Sequence, residues 1–440
     1  MSDKKRRAAI HLANFKSVRF EPVGVLSLTF FLMPAIGAIS SKAMVPLFLA
    51  TLLLLLGAHK LSGMTKFRPP VILTVGLSVL IIWSALSLIW APFARPGDWL
   101  ILSLAGMFVA GSVFLGFVPT LSRDDRRQTE NWFLAGYGTA NLIFLFEAAT
   151  TSWISRQVRG LEWNDVIGVE SSGENLEAFL SNGIVILALL VWPAITITLR
   201  RRQWALTILT LVMVFGFAIY FKHAASLLAV TAGLCASGLA RFSRVLTARL
   251  LALGFVFMVL ASPFLMGQLT RSMDLHRLAN SDLGRALPQS VIPRLFIWDF
   301  AAQKSLQRPL LGWGMNASRR IPGGGEKFIV YDEKVGNGKT KELYHDSLLP
   351  LHPHNQALQI WLELGGVGAV IVALFGGMFL FRLGALKATE APLFGMLVSY
   401  LTFALSSFGA WQNWWIATSF LIAVIWRALG RESPAAGQIS

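Results

Sequence analysis

Residues 71–90 read VILTVGLSVLIIWSALSLIW, a run without a charged side chain. A helix rises about 1.5 Å per residue, so such a run crosses about 30 Å, the hydrocarbon thickness of a bilayer. Residues 180–199, LSNGIVILALLVWPAITITL, repeat the pattern. Working outward, apolar runs near 23–39, 43–58, 99–118, 131–149, 204–220, 224–240, 250–266, 356–381, 391–409 and 412–427 bring the set to about twelve spans. The 440 residues are 55% hydrophobic and 14% charged, where a soluble domain carries about a quarter charged. The fold class is an all-α integral membrane protein. A β-barrel would alternate apolar and polar residues along each strand, and no such alternation is visible.

Charge sets the orientation. Short basic connections alternate with nearly neutral ones: Lys4, Lys5, Arg6, Arg7, Lys16 and Arg19, then Lys60, Lys66 and Arg68, then Arg123, Arg126 and Arg127. Arg200, Arg201 and Arg202 follow, then Arg241, Arg244 and Arg249, then Arg382 and Lys387, and finally Arg427 and Arg431. With twelve spans all of them fall on one side, which the positive-inside rule makes cytoplasmic. The net charge of +16 is then topological, and no nucleic-acid partner is needed to explain it. The opening basic stretch and apolar run read as an uncleaved first helix. The organisation is 1–266, nine spans with a cytoplasmic N-terminus; 267–355, a large periplasmic loop; 356–427, three more spans; and 428–440, a cytoplasmic tail. Cys235 stands alone, so no internal disulfide forms, and no Cys/His cluster has zinc spacing.

Two outer loops are long. Residues 150–179 carry Glu162, Asp165, Glu170, Glu174 and Glu177 and read as a solvated acidic surface. Residues 267–355 are too long to lack structure of their own. Pro293 can open a helix and Arg294–Leu306 has helical apolar spacing, while Gly323-Gly324-Gly325 and Gly336-Asn337-Gly338 mark mobile stretches.

The candidate chemistry lies on that outer side. His352-Pro353-His354-Asn355 precedes the tenth span; Asn355 can cap its N-terminus, which places His354 at the positive end of a helix. Gln356, Gln359 and Glu363 follow on one helical face, and a carboxyl at the depth of Glu363 faces a cavity or a partner rather than lipid. Arg294 and Trp298 are four apart on a shared face; arginine matches phosphate oxygens, and a tryptophan offers a flat surface to a sugar ring. Arg308-Pro309-Leu310-Leu311-Gly312-Trp313-Gly314 and the turn Phe221-Lys222-His223 complete the set, with Arg285 a further cation. No Asp-x-Asp pair, serine nucleophile elbow or zinc motif appears, so no metal or cofactor is assigned.

These segments resemble the O-antigen ligase and O-antigen polymerase superfamily. The family pattern of His-Asn, nine residues, Gly, two residues, Gly is met by His354-Asn355, Gly365 and Gly368. The resemblance implies about twelve transmembrane helices of the multi-spanning (GT-C-like) glycosyltransferase class, with the outer loop folded over a lipid-facing cleft. It implies metal-independent, inverting transfer of a glycan from undecaprenyl diphosphate at the outer face of the bacterial inner membrane. A ligase passes the glycan to lipid A–core; a polymerase passes it to another lipid-linked glycan. The family's catalytic histidine maps onto His354 and a loop arginine onto Arg294. Lys222, His223, Arg285, Trp298, Arg308, Asn355 and Glu363 are the candidate donor-binding residues. One departure concerns a family Ser-Arg pair at the start of the span 224–240: here the chain reads Lys222-His223-Ala224-Ala225-Ser226, and lysine lacks arginine's bidentate fork.

Plainer readings exist for each residue. Arg294 would pair with Asp299 or an acid of 150–179, Lys222 would anchor at the interface, and Trp298 and Trp313 would be loop-core or interface residues. Glu363 would be a packing contact. The leading function is O-antigen ligase, with a polymerase as the alternative within the family. A lipid-linked sugar transporter would instead show symmetric halves and substrate groups near the midplane.

Overall fold

The computed structural model of the protein describes residues 21–62, 67–91, 99–159, 177–333, 341–385 and 390–430. Of the residues singled out above, Lys4–Arg19, Lys66, the acids Glu162–Glu174, Gly336–Gly338, Lys387 and Arg431 lie outside these. The helices are α1 (Pro22–Ile39), α2 (Met44–Ser62), α3 (Val71–Leu86), α4 (Leu100–Phe117), α5 (Arg123–Ala149), the short α6 (Trp153–Arg159), α7 (Glu177–Arg200), α8 (Trp204–Tyr220) and α9 (Ala224–Arg271). Then come α10 (Leu275–Asn280), α11 (Asp282–Ala286), α12 (Val291–Gln307), a hairpin of β1 (Lys327–Tyr331) and β2 (Glu342–Ser347), and α13 (Gln356–Arg382), α14 (Ala391–Ser406) and α15 (Asn413–Gly430). Each apolar run read from the sequence lies on one of these helices. Among the described residues, seven helical stretches are by themselves long and apolar enough to cross a membrane, and α8 and α14 are shorter apolar helices.

Two of the long helices are interrupted. In α9, Ser243 leaves the helical region (φ −152°, ψ 96°) and its Oγ accepts the Leu246 N–H at 3.2 Å, capping a new helix. The two halves run in opposite directions. Ala229 and Gly233 in the first meet Ser399 and Gly395 of α14, whereas Val245, Val256 and Val259 in the second meet Gly384, Gly377 and Trp361, the last two in α13. Both orders are antiparallel, and α13 and α14 themselves oppose each other, so the chain reverses at Ser243.

The second interruption is at Gly365 in α13 (φ 68°, ψ −169°). A break strands carbonyls and N–H groups, and in apolar surroundings each stranded group costs several kcal/mol. Residues 309–314 run alongside and meet them. Trp313 N–H and Gly314 N–H donate to the Leu362 and Glu363 carbonyls at 2.8 Å, and Gly366 N–H and Val367 N–H donate to Pro309 and Leu310 at 2.8 and 3.3 Å. Trp83 Nε1 of α3 takes the Leu364 carbonyl at 3.0 Å. The approach leaves no room for side chains: a methyl group at Gly365 would lie 2.2 Å from the Leu310 oxygen, and one at Gly312 (φ +69°) 2.6 Å from the Glu363 carbonyl.

The outer segment builds small cores of its own. Ile297, Ala301, Ala302 and Trp313 pack on Leu358 and Leu362 of α13, and Phe296 stacks on Phe328 of β1 with ring centroids 4.4 Å apart. The antiparallel hairpin, Lys327 opposite Ser347 through Tyr331 opposite Glu342, departs from a purely helical reading of this loop. Its cause is local: Lys-Phe-Ile-Val-Tyr is β-prone and alternates outward and inward. Helix α12 starts at Val291, so Pro293 sits within its first turn.

At the opposite end, arginines hold helix termini. Arg201 donates to Glu130 Oε2 at 2.6 Å and to Asn131, Arg200 to the Leu429 carbonyl at 3.1 Å, and Arg427 to the Arg68 carbonyl.

Gly312→Ala and Gly365→Ala each force an L side chain into φ > 0 against backbone. Each is expected to cost at least about 1–3 kcal/mol, read as a lower melting temperature of the purified protein. Gly254→Ala, where nothing lies within 4 Å, is expected to leave that temperature unchanged or slightly raised.

Candidate functional site

At the end away from the arginine clusters a cavity of about 280 Å³ opens among α7, the α8–α9 turn, α12, the segment preceding α13, and the α14–α15 turn. Its wall includes Arg294, His354, His352 and His223, together with Ser181, Asn182, Ser407, Phe408, Gln412 and Trp414.

The segment before α13 is held from several sides. Asn355 Oδ1 accepts the Leu358 N–H at 3.1 Å, capping the helix as its position suggested. Trp298 Nε1 donates to the Pro353 carbonyl at 2.9 Å. His354 occupies the left-handed region (φ +52°), unusual for a non-glycine residue. Its N–H donates to His352 Nδ1 at 3.1 Å, and the two rings stand 4.4 Å apart.

Hydrogen-bond partners fix the tautomers. His354 Nδ1 lies 2.8 Å from the Ser407 carbonyl, which only accepts. The proton is therefore on Nδ1, and Nε2 of the neutral ring carries a lone pair. Among the described residues nothing bonds to that Nε2. His352 Nδ1 accepts, so its Nε2 bears the proton; 3.1 Å away stands the Gln412 amide, which meets it with its oxygen when the amide is turned over. His223 Nδ1 accepts the Ser226 N–H at 3.2 Å, so its Nε2–H donates to Ser181 Oγ at 3.0 Å. The Ser181 hydroxyl proton is left for another acceptor.

The electrostatics are lopsided. Burial, then Arg294, lowers the His223 pKa to about 4. Burial, then His354 and Arg319, lowers His352 to about 3. His354 is also lowered, chiefly by burial and further by Arg294, with the Ser407 carbonyl and Asp346 acting the other way. All three imidazoles are neutral at pH 7. Arg294 is desolvated, which lowers its pKa from the usual arginine value, but it stays charged. No described residue pairs with it. Asp299, the structural partner considered above, is taken by Thr270 Oγ1 at 2.6 Å and Gln303 Nε2 at 2.7 Å.

Other candidates do not reach the cavity. Arg285 of α11 is tied to Asp332 at 2.5 Å, and to Asn280. Arg308 stacks its guanidinium on Trp313 at 4.1 Å. Lys222 (φ +47°) is exposed beside the cavity, and the residue of this turn that faces inward is His223. Trp298 supports the histidine segment from behind, Asn355 is spent on its cap, and Glu363 is buried below the cavity floor in hydrogen bonds of its own. Ser181, Asn182, Ser407, Phe408, Gln412 and Trp414 were not singled out from the sequence. For the last four the one signal is the polar and aromatic turn Ser406–Trp415 between two apolar runs, and Ser181 and Asn182 are inconspicuous at the start of the run 180–199.

A half-buried cation that no described residue pairs with is a cost to the fold. Arg294→Gln is therefore expected to raise thermal stability by about 0.5–2 kcal/mol while abolishing activity. A fall in melting temperature would mean that Arg294 has a structural partner.

Comparison with known proteins follows the same residues. Residues 209–373 match the family model described as O-Antigen ligase. The protein named "Putative polysaccharide ligase" in Rickettsia felis (strain ATCC VR-1525 / URRWXCal2) is 29% identical over 327 residues, 72% of each chain. Its counterpart in Rickettsia conorii (strain ATCC VR-613 / Malish 7) is 28% identical over 321 residues, 72% of this chain and 71% of that one. That of Rickettsia prowazekii (strain Madrid E) is 27% identical over 305 residues, 68% and 67%. No solved structure matches the chain. The resemblance carried by His354-Asn355, Gly365 and Gly368 therefore holds: the chain is similar to the O-antigen ligase superfamily across 209–373, the stretch that contributes His223, Arg294, His352 and His354 to the cavity.

Proposed function

We propose that this protein transfers a glycan from undecaprenyl diphosphate to lipid A–core at the periplasmic face of the bacterial inner membrane. The observation that carries this reading is a guanidinium that no described residue pairs with, Arg294, in one cavity with the Nε2 lone pair of His354. The first requires an anion and the second a proton. A sugar diphosphate and an attacking hydroxyl supply both.

In this scheme the acceptor oxygen attacks the anomeric carbon as the bond from that carbon to the diphosphate oxygen breaks. The hydroxyl proton passes to His354 Nε2, whose Nδ1–H is steadied by the Ser407 carbonyl. General-base assistance of this kind is worth roughly 10²–10⁴-fold. The leaving diphosphate is met by Arg294 and by the Ser181 hydroxyl that His223 orients. Attack opposite the leaving group inverts the anomeric centre.

Orientation supports the same reading. The positive-inside rule assigns the end that carries Arg200, Arg201, Arg241, Arg244 and Arg427 to the cytoplasm, and the cavity lies at the other end. The chain then crosses the membrane about twelve times, with 267–355 as the periplasmic segment. A ligase is favoured over a polymerase by the description of the matching family and by the names of the relatives.

In a deletion strain, wild type is expected to restore glycan-bearing lipid A–core. His354→Ala and Arg294→Ala are expected to leave it bare while lipid-linked polymer accumulates, both read by size on a gel. Single repeat units on lipid A–core would mark a polymerase, and full restoration by both variants would refute the assignment. Arg294→Lys is expected to fail as well, since lysine lacks the planar fork. Because protonating His354 removes the base, the rate should fall only on the acid side. Its lowered pKa puts that fall below the usual histidine value of 6.5; a fall centred above it would contradict the role.

A further inference from the structure

Glu363 is 1% exposed and four donors surround it. Ser318 Oγ and Gln359 Nε2 donate to Oε1 at 2.5 and 3.0 Å, and the Asn316 N–H and Trp411 Nε1 donate to Oε2 at 2.7 and 2.8 Å. Two donors per oxygen match a carboxylate, which only accepts. Two of the donors belong to the outer segment. The other two lead to the α14–α15 turn: Trp411 lies in it, and Gln359 passes the contact on, its Oε1 accepting the Ala410 N–H at 2.8 Å.

That turn is the part of the wall that orients the histidines. Ser407 gives its carbonyl to His354 Nδ1, and Gln412 gives its amide to His352. Gly409 lies so close that a methyl group there would stand 2.9 Å from the His352 ring. The turn carries no charged side chain from 406 to 415, and Glu363 grips it at two adjacent points. We infer that Glu363 is a positioning residue for transfer, acting through Trp411 and Gln359 on the turn that aims His354 Nε2 at the acceptor hydroxyl. The inference rests on the reading of His354 as the base.

A purely structural role would put the weight on the outer-segment side, at Asn316 and Ser318, and the two sides can be cut separately. Trp411→Phe keeps the ring and removes one donor on the turn side; Ser318→Ala removes one on the outer side. Glu363→Gln replaces an acceptor by an NH₂ that faces two donors. The test measures kcat and KM of the full-length protein in nanodiscs, with undecaprenyl diphosphate-linked glycan as donor and lipid A–core as acceptor.

Trp411→Phe and Glu363→Gln are expected to lower kcat by about tenfold to 10²-fold, the effect of a small misplacement, with donor KM little changed. Ser318→Ala should lower melting temperature more than kcat. Added to His354→Ala, Trp411→Phe should cost nothing further, because both act through one group. Wild-type kcat in Trp411→Phe, or an undiminished further loss in the double variant, overturns the inference. If Glu363→Gln does not fold, Trp411→Phe and the double variant decide. Wild-type transfer by His354→Ala removes the base reading and this inference with it. An impaired His354→Ala beside a fully active Trp411→Phe removes this inference alone.

Discussion

The structure depends on a backbone-to-backbone joint in the wrong place for one. A helix that breaks in apolar surroundings must find partners for its stranded groups, and α13 breaks at Gly365. The 309–314 strap provides them, and in doing so it determines much else. Trp313 within the strap closes α12 by donating to the Lys304 carbonyl at 2.9 Å, and it packs with α12 on α13. The strap is also held by the residues that follow α3: Trp90 Nε1 donates to the Leu311 carbonyl at 3.2 Å, and Ser87 Oγ accepts the N–H of Met315, just past the strap, at 2.9 Å. Helix α12 carries Arg294, so the cation stands over the cavity because the strap cannot move without unpairing the helix beneath it.

The joint explains why two glycine motifs occur together. Gly312 and Gly365 both take φ > 0 and face each other's backbone, so each is required by the other. Read along the chain, Gly312-Trp313-Gly314 suggests a turn and Gly365-Gly366 a weak point in a span. Only their pairing shows that together they make one surface.

This marks how far the sequence was legible. The apolar helices, the cap at Asn355 and the helix bearing Arg294 and Trp298 follow from composition, periodicity and local spacing, and the segment around His354 was legible through the family spacing of His354-Asn355, Gly365 and Gly368. The partners of charged groups do not. Arg285 and Arg308 were candidates because arginine suits phosphate, yet one is neutralised by Asp332 and the other lies on Trp313. Lys222 drew attention as the charged member of its turn, whereas the geometry of that turn directs His223 inward. Ser181, Ser407 and Gln412 are unremarkable residues by type, and they matter only through contacts with histidines 42, 53 and 60 positions away.

Arginine itself shows what separates structure from chemistry here. At the basic end three guanidiniums have protein partners: Arg201 on Glu130, Arg200 on the Leu429 carbonyl, Arg427 on the Arg68 carbonyl. These contacts stabilise helix termini and join segments far apart in sequence. Arg294 is more desolvated than a surface arginine, and still no described residue answers it. Nearby imidazoles are held neutral, so they neither repel it nor add charge of their own. Arg294 and His354 line one cavity, so an open cation and an available lone pair share the same space among the described residues.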